Sequence, residues 1–243
     1  MDKIKITNFM LKLAKDARKI VKKHKNFNKM DKGFRDVVTD VDLLVEKHCI
    51  NVINKKYPNT TIVSEEFNNN VSVTDNCFLI DPIDGTKNFA NNLPFWGFQM
   101  AYMEKGKVIS CVIDLPELNT QIKSIDGIGT FCNNQKIEPK PNNIEHSYWI
   151  VEGHSKKWKM ATELSKDVMA ERSFGCTSVT LGLVAKGEVC CIINTWNNAW
   201  DIYPGITACK NAGMVVIEED KNIIIAPSNE LAEYGLKITK TVK

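Results

Sequence analysis

Between Lys3 and Lys25 a run of apolar positions falls at Ile6, Phe9, Met10, Leu13, Ala17, Ile20 and Val21, with lysines between them. Steps of three and four place these side chains on one stripe, so a helix is expected there. A basic amphipathic helix also suits a membrane surface, but the same stripe is what a helix docked on its own protein requires, and docking is the reading adopted. A second helix is expected over 40–56, closed by Tyr57-Pro58, because a proline pushes the residue before it out of helical conformation. Apolar runs at 60–63 and 77–80 predict strands, with a polar loop over 66–76 between them. From Trp96 to Ile137 the pattern becomes strand, turn, strand. Glu104-Lys105-Gly106-Lys107 forms a hairpin loop, and Gly127 and Gly129 mark further turns, so this block is antiparallel.

Periodicity breaks near 138–146, at Glu138-Pro139-Lys140-Pro141-Asn142-Asn143. Beyond it the expected order is strand 147–151, helix 155–169, a short strand, helix 177–187, strand 189–193, helix 202–212, strands 214–218 and 222–225, and helix 228–235. Strands alternating with helices describe an α/β half. The chain therefore divides into an α+β half, residues 1–140, and an α/β half, residues 141–243, packed together.

Composition narrows the class without naming it. The 243 residues are 43% hydrophobic and 25% charged, with a formal net charge of +3, as in an ordinary soluble globular protein. That charge is too near balance for a nucleic-acid binder. Only Arg18, Arg35 and Arg172 are arginines, and the scattered lysines read as a solvated surface. No apolar run approaches the ~18 residues a membrane span needs, and no signal peptide is apparent. The eight cysteines include no C-x-x-C pair and read as reduced core thiols, which points to the cytoplasm. The histidines at 24, 48, 146 and 154 lack metal-site spacing.

Candidate chemistry lies in "FLIDPIDGTKNF", residues 78–89. An apolar strand runs straight into Asp81 and Asp84, where burying charge is costly. Pro82 has no N–H for the ladder and is expected to stop the strand after Asp81. The turn then brings both carboxylates toward one space. Gly85 permits close approach of a ligand to the backbone. The N–H groups of Gly85 and Thr86, at the start of a helical turn, would face the same space, as at an anion-binding helix N-terminus. Anionic oxygens and an anion-binding backbone conflict unless cations lie between them, and Mg²⁺ bridging carboxylate to phosphate resolves the conflict. D-x-x-D-G by itself also suits an Asx-turn with surface aspartates. Four further acids stand at three element ends, each place with an ordinary reading beside it. Glu65-Glu66 ends a strand and suits an exposed pair. Asp201 precedes a helix and suits its N-cap. Asp42 follows Thr39 by three residues, as in a capping box.

Taken together these residues resemble the inositol monophosphatase family of Mg²⁺-dependent phosphatases, across nearly the whole chain. The resemblance rests on Ser64-Glu65-Glu66, on "DPIDGT" at 81–86, and on "WD" at 200–201 followed by a helix and "NAGM". Thr39, Asp42 and Glu46 fit an early T-x-x-D-x-x-x-E stretch, and "GCTS" at 175–178 lies where the family starts a helix with small residues.

The resemblance implies a layered αβαβα sandwich of the sugar-phosphatase type. It implies a first Mg²⁺ on Glu65, Asp81 and the Ile83 carbonyl, and a second on Asp81, Asp84 and Asp201, with Glu65 helping a third, weaker ion. It implies that the Gly85 and Thr86 amides cradle phosphate, and that Asp42 and the Thr86 hydroxyl orient and deprotonate the attacking water, with Glu65 also in the catalytic set. Thr177 and Asn194 would contact substrate. Asn194 stands where inositol-specific members carry a glutamate; an amide still bonds a hydroxyl, but without the charge. Pro204 in "WDIYPG" is acceptable if it lies in the first helical turn. Trp96, after "LPF", is similar to histidinol-phosphate phosphatases of the same superfamily, although an aromatic there also suits the core.

The expected activity is therefore Mg²⁺-dependent hydrolysis of a small phosphorylated polyol or sugar, with lithium sensitivity and a homodimer expected by resemblance. Histidinol phosphate, fructose 1,6-bisphosphate and 3′-phosphoadenosine 5′-phosphate are the rival substrates. A non-catalytic binding or regulatory protein with this fold is the rival of a different class. No nucleic-acid or membrane partner is expected.

Overall fold

The computed structural model describes residues 2–34, 36–153, 156–195 and 198–242. His154 and residue 155, the expected start of a helix, lie outside the described residues. Helix α1 (Lys3–Lys23) buries Ile6, Phe9, Met10, Leu13, Ala14 and Ala17, and Asp2 caps its first turn. A hairpin of β1 (Lys29–Gly33) and β2 (Asp36–Thr39) follows, then α2 (Asp40–Lys56). Next come β3 (Thr61–Ser64), β4 (Cys77–Asp84), α3 (Thr86–Ala90), β5 (Gly97–Glu104), β6 (Lys107–Leu115), β7 (Thr120–Ile125), β8 (Gly129–Cys132) and β9 (Gln135–Lys136). The remaining elements are β10 (Tyr148–Glu152), α4 (Lys157–Leu164), β11 (Ala170–Arg172), α5 (Thr177–Lys186), β12 (Cys191–Asn194), α6 (Ala199–Ala212), β13 (Val215–Glu219), β14 (Asn222–Ala226) and α7 (Asn229–Thr241).

Among the described residues β3 to β9 form one seven-stranded sheet in chain order, parallel at β3–β4 and antiparallel elsewhere. A second sheet has the order β11-β10-β12-β14-β13, with β10 parallel to β11 and β12. Strand alternation sorts the core into layers. Phe78 and Ile80 of β4 pack with Phe9, Leu13, Val45 and Ile53 of α1 and α2. Cys77 and Leu79 point the other way, toward Val179, Leu181 and Val184 of α5 and Ile202 and Ile206 of α6. Those helices also meet Ile150, Ile192 and Ile225 on the inner face of the second sheet. Its outer face, Trp149, Val151, Ile193 and Ile224, packs on Met160 and Leu164 of α4 and Leu231 and Ile238 of α7. The sequence of layers is thus helix, sheet, helix, sheet, helix, the expected αβαβα sandwich. Strands buried on both faces read as continuous apolar runs, which is why "CFLI" lacks alternation.

Several elements differ from expectation. The β1–β2 hairpin had no counterpart in the sequence pattern. Strand β4 does not stop at Asp81. It continues to Asp84 through a bulge, with Asp81 opposite Gln99 and Asp84 opposite Gly97. Pro82 falls inside that bulge, where the ladder is already interrupted, so its missing N–H removes no strand bond. Helix α4 is shorter than 155–169, and α7 is longer than 228–235. Helix α6 begins at Ala199 with Asn198 as its N-cap residue. Asp201 is therefore the third helical residue and not the cap. Pro204 lies beyond the first turn, where its ring takes the usual donor away from the Trp200 carbonyl. Trp96 is core, edge-on to Phe89 with ring centroids 5.0 Å apart.

Candidate metal centre

The bulge in β4 does the first local work. An extra residue between Asp81 and Asp84 re-aims the strand end, and both aspartates are buried there, at 1% and 8% exposure. Asp201 reaches the same place from the first turn of α6. Asp81, Asp84 and Asp201 each offer an oxygen, and all three oxygens lie within 4.8 Å of one another. Asp81 Oδ1 is buried and has no hydrogen-bond partner among the described residues.

Such crowding has an electrostatic signature. Burial first, then the charges of Glu65, Asp84 and Asp201, hold the Asp81 carboxyl well above the ordinary range. Burial, with the Asp84 charge behind it, pushes Asp201 up to about 8. Burial also raises Asp84, although the Ser178 amide and the Cys176 thiol donate to it. Glu65 stands somewhat apart. It follows β3, its side chain is 25% exposed, and its Oε1 lies 4.0 Å from Lys32 Nζ of β1. Its carboxyl is raised by burial and then by Asp201, so it shares the field of the three aspartates without belonging to their tight group.

Asp42 is fully buried and does two things at once. It completes a capping box with Thr39 on α2, accepting from the Thr39 amide at 3.0 Å and from the Thr39 hydroxyl. Its other oxygen, Oδ1, accepts from Thr86 Oγ1 at 3.0 Å. Burial pushes Asp42 up to about 6. Thr86 Oγ1 also lies 2.9 Å from the Ile83 carbonyl, so one hydroxyl proton has two acceptors in reach. Gly85 caps α3 with φ +82°, and a Cβ there would lie 2.8 Å from the Phe95 carbonyl and 3.0 Å from Cys176 Sγ. Only glycine fits this corner.

The two expected substrate residues lie in the C-terminal half. Thr177 is the first residue of α5. Asn194 ends β12, buried and paired in register with Glu152 of β10. Four other residues support the centre without having been given roles by the sequence. Glu46 of α2, visible only as part of a motif, accepts from Ser64 Oγ at 2.5 Å, Glu66 N at 2.9 Å and Phe67 N at 2.7 Å, fixing the backbone around Glu65. The Ser178 amide donates to Asp84 Oδ2, which Cys176 Sγ also reaches at 3.2 Å. Glu152 holds the segment before α5. The signal that could have found Glu152 is the one used for Asp81: an acid at the end of an apolar strand.

A cation fits this donor set. Carboxylate oxygens from the buried Asp81 and Asp84 and the half-buried Asp201, all at one point, are oxygen ligands of the kind that hard divalent ions take, and they repel one another until positive charge arrives. The chain has relatives. A chain from Thermotoga maritima named fructose-1,6-bisphosphatase/inositol-1-monophosphatase is 31% identical over 194 residues, 76% of this chain and 73% of that one. Inositol monophosphatase 1 of Rattus norvegicus is 31% identical, over 85% of this chain and 78% of its own length. The Nus factor SuhB of Haemophilus influenzae is 28% identical over 95% of this chain and 94% of its own. The solved structure of a Thermotoga maritima IMPase superimposes with a TM-score of 0.89 at 25% identity, covering all of both chains. Residues 2–240 match the inositol monophosphatase family, and the chain belongs to that family.

Proposed function

We propose that this protein is a Mg²⁺-dependent phosphomonoesterase acting on a small phosphorylated polyol or sugar. One observation carries the reading: the oxygens of Asp81, Asp84 and Asp201 converge within 4.8 Å, beside a glycine corner that opens a helix. Asp81, Asp84, Asp201, Glu65 and the Ile83 carbonyl would hold two or three ions. Bound there, the ions would lower the pKa of water and neutralise charge on the phosphoryl oxygens.

The remaining work falls to the chain itself. The amides of Gly85 and Thr86, at the positive end of α3, orient the phosphate. Thr86 Oγ1 accepts a proton from the attacking water while passing its own to Asp42 Oδ1, 3.0 Å away. Burial makes Asp42 a better proton acceptor than an ordinary aspartate. Thr177 and Asn194 contact the part of the substrate beyond the phosphate. Asn194 offers a hydroxyl group an amide where a glutamate would offer a charge, which favours neutral polyol or sugar phosphates without demanding inositol. The two sheets, on either side of residues 138–147, define subdomains 1–140 and 141–243, and the site draws on both. The protein acts in the cytoplasm, consistent with eight unpaired cysteines, and as a homodimer.

The test is phosphate release from inositol 1-phosphate, fructose 1,6-bisphosphate, histidinol phosphate and 3′-phosphoadenosine 5′-phosphate, with and without Mg²⁺. Release from at least one ester that stops when Mg²⁺ is chelated is expected. A panel silent at millimolar Mg²⁺ would favour a regulatory protein, a second reading suggested by the similarity to the Nus factor SuhB.

A further inference from the structure

Glu152 is a buried carboxylate that the proposed chemistry does not use. It ends β10, is only 6% exposed, and faces away from solvent toward the segment that leads into α5. Its Oε1 accepts from the consecutive amides of Phe174 at 2.7 Å and Gly175 at 2.9 Å, with Thr180 Oγ1 at 3.3 Å. Its Oε2 accepts from Ser173 Oγ at 3.0 Å, and Lys157 Nζ lies 4.0 Å away. The segment is pinned from the other side as well, since Asn88 Nδ2 of α3 donates to the Phe174 carbonyl at 2.8 Å. Gly175 then turns with φ +66°, and the chain enters α5 through Cys176 and Thr177. There the Ser178 amide and the Cys176 thiol both reach Asp84 Oδ2. With that oxygen held from the α5 side, the other oxygen of Asp84 is the one left for an ion.

We infer that Glu152 is a positioning residue for Asp84: its carboxylate templates residues 173–175, which set the α5 N-terminus, which orients the Asp84 carboxylate. The inference rests on the metal-dependent reading above. Glu152 meets no substrate atom in this scheme. Its reach is through backbone, as outer partners of a metal ligand act, and such partners typically govern about 10–100-fold in metal affinity.

The test uses the full chain, titrated calorimetrically with MgCl₂ alone, and steady-state kinetics on whichever ester the panel identifies. Glu152→Gln keeps the volume but puts an NH₂ where one acceptor stood, so one donor of the 173–175 segment loses its partner. Weakening of Mg²⁺ binding by about tenfold is expected, with the substrate KM at saturating Mg²⁺ unchanged. Ser173→Ala removes only the hydroxyl on Oε2, and a smaller loss in the same direction is expected. It serves also if Glu152→Gln does not fold. A purely structural role would lower the melting temperature of both variants and leave Mg²⁺ affinity at the parental value, and that result overturns the inference. A parent protein that itself shows no Mg²⁺ binding overturns the metal reading instead, and the inference falls with it.

Discussion

Glu46 and Glu152 sit in opposite halves of the molecule and make nearly the same set of contacts. Glu46 gathers two consecutive amides, of Glu66 and Phe67, and the hydroxyl of Ser64. Glu152 gathers two consecutive amides, of Phe174 and Gly175, and the hydroxyl of Ser173. One fixes the backbone that carries Glu65. The other fixes the segment leading to the amide that holds Asp84. Each half thus spends a buried carboxylate on holding irregular backbone, where helix or sheet cannot satisfy the amides. The halves differ in what balances that carboxylate. Among the described residues the donors to Glu46 are all neutral, whereas Lys157 stands 4.0 Å from Glu152. The acids proposed to hold the ion are likewise drawn from both halves: Glu65, Asp81 and Asp84 from one, Asp201 from the other.

The comparison breaks most sharply at the shared centre. Asp81→Asn removes the ligand with the unpartnered oxygen. Loss of activity by at least about a thousandfold is expected, because several kcal/mol of charge stabilisation depends on the ion. Stability without metal should hold or rise, since one of several mutually repelling charges is gone. Initial rates and melting temperatures in EDTA check both statements. Activity within tenfold of the parent would remove the centre from the mechanism.

A smaller effect sharpens the comparison between the two supports. In Glu46→Gln one of three donors loses its acceptor, which costs on the order of 1–3 kcal/mol when the donor is buried. Mg²⁺ affinity should fall by about tenfold as Glu65 loosens, measured by the same calorimetric titration as for Glu152→Gln. If Glu46→Gln leaves Mg²⁺ binding untouched while Glu152→Gln does not, the halves are not equivalent, and Glu65 is dispensable for tight binding.

What the sequence revealed follows the same division. The stripe on α1, the both-face burial of β4 and the D-P-I-D-G-T corner were legible because each is a local pattern with a local cause. The β1–β2 hairpin was not. Every residue of β1 is exposed, so its strand character comes from pairing with β2 and leaves no alternation to read. Pro82 misled for a related reason: proline signals a broken ladder, but a bulge is a broken ladder within a strand. Asp42 caps α2 as its local motif predicts, and the same carboxylate meets Thr86. Glu46 was visible beside Asp42 on a helix, whereas Glu152 has no neighbouring motif, although each acts on backbone about twenty residues away. Contacts of that range are made by the fold.

Asp42 and Asp201 also differ in proton affinity, and pH measures it. Asp42, in the N-terminal half, is pushed up to about 6, and Asp201, in the C-terminal half, to about 8. Both are raised above the ordinary aspartate value of 3.8. Between that value and the folded-state value, the folded protein holds protons that the unfolded chain has released. Stability then falls as pH rises, by at most roughly 1.4 kcal/mol per pH unit for each group. In EDTA the melting temperature should therefore decline from pH 5 to about 8, more steeply below about 6, where both groups contribute. Asp42→Asn should lessen the decline below about pH 6, and Asp201→Asn the decline all the way to about 8. Mg²⁺ should erase chiefly the part due to Asp201, because a bound ion would hold Asp201 ionised across the range, while Asp42, raised by its own burial, keeps its share. A melting temperature in EDTA that stays level from pH 5 to 8 would mean that the acids of the two halves are not crowded enough to compete for protons.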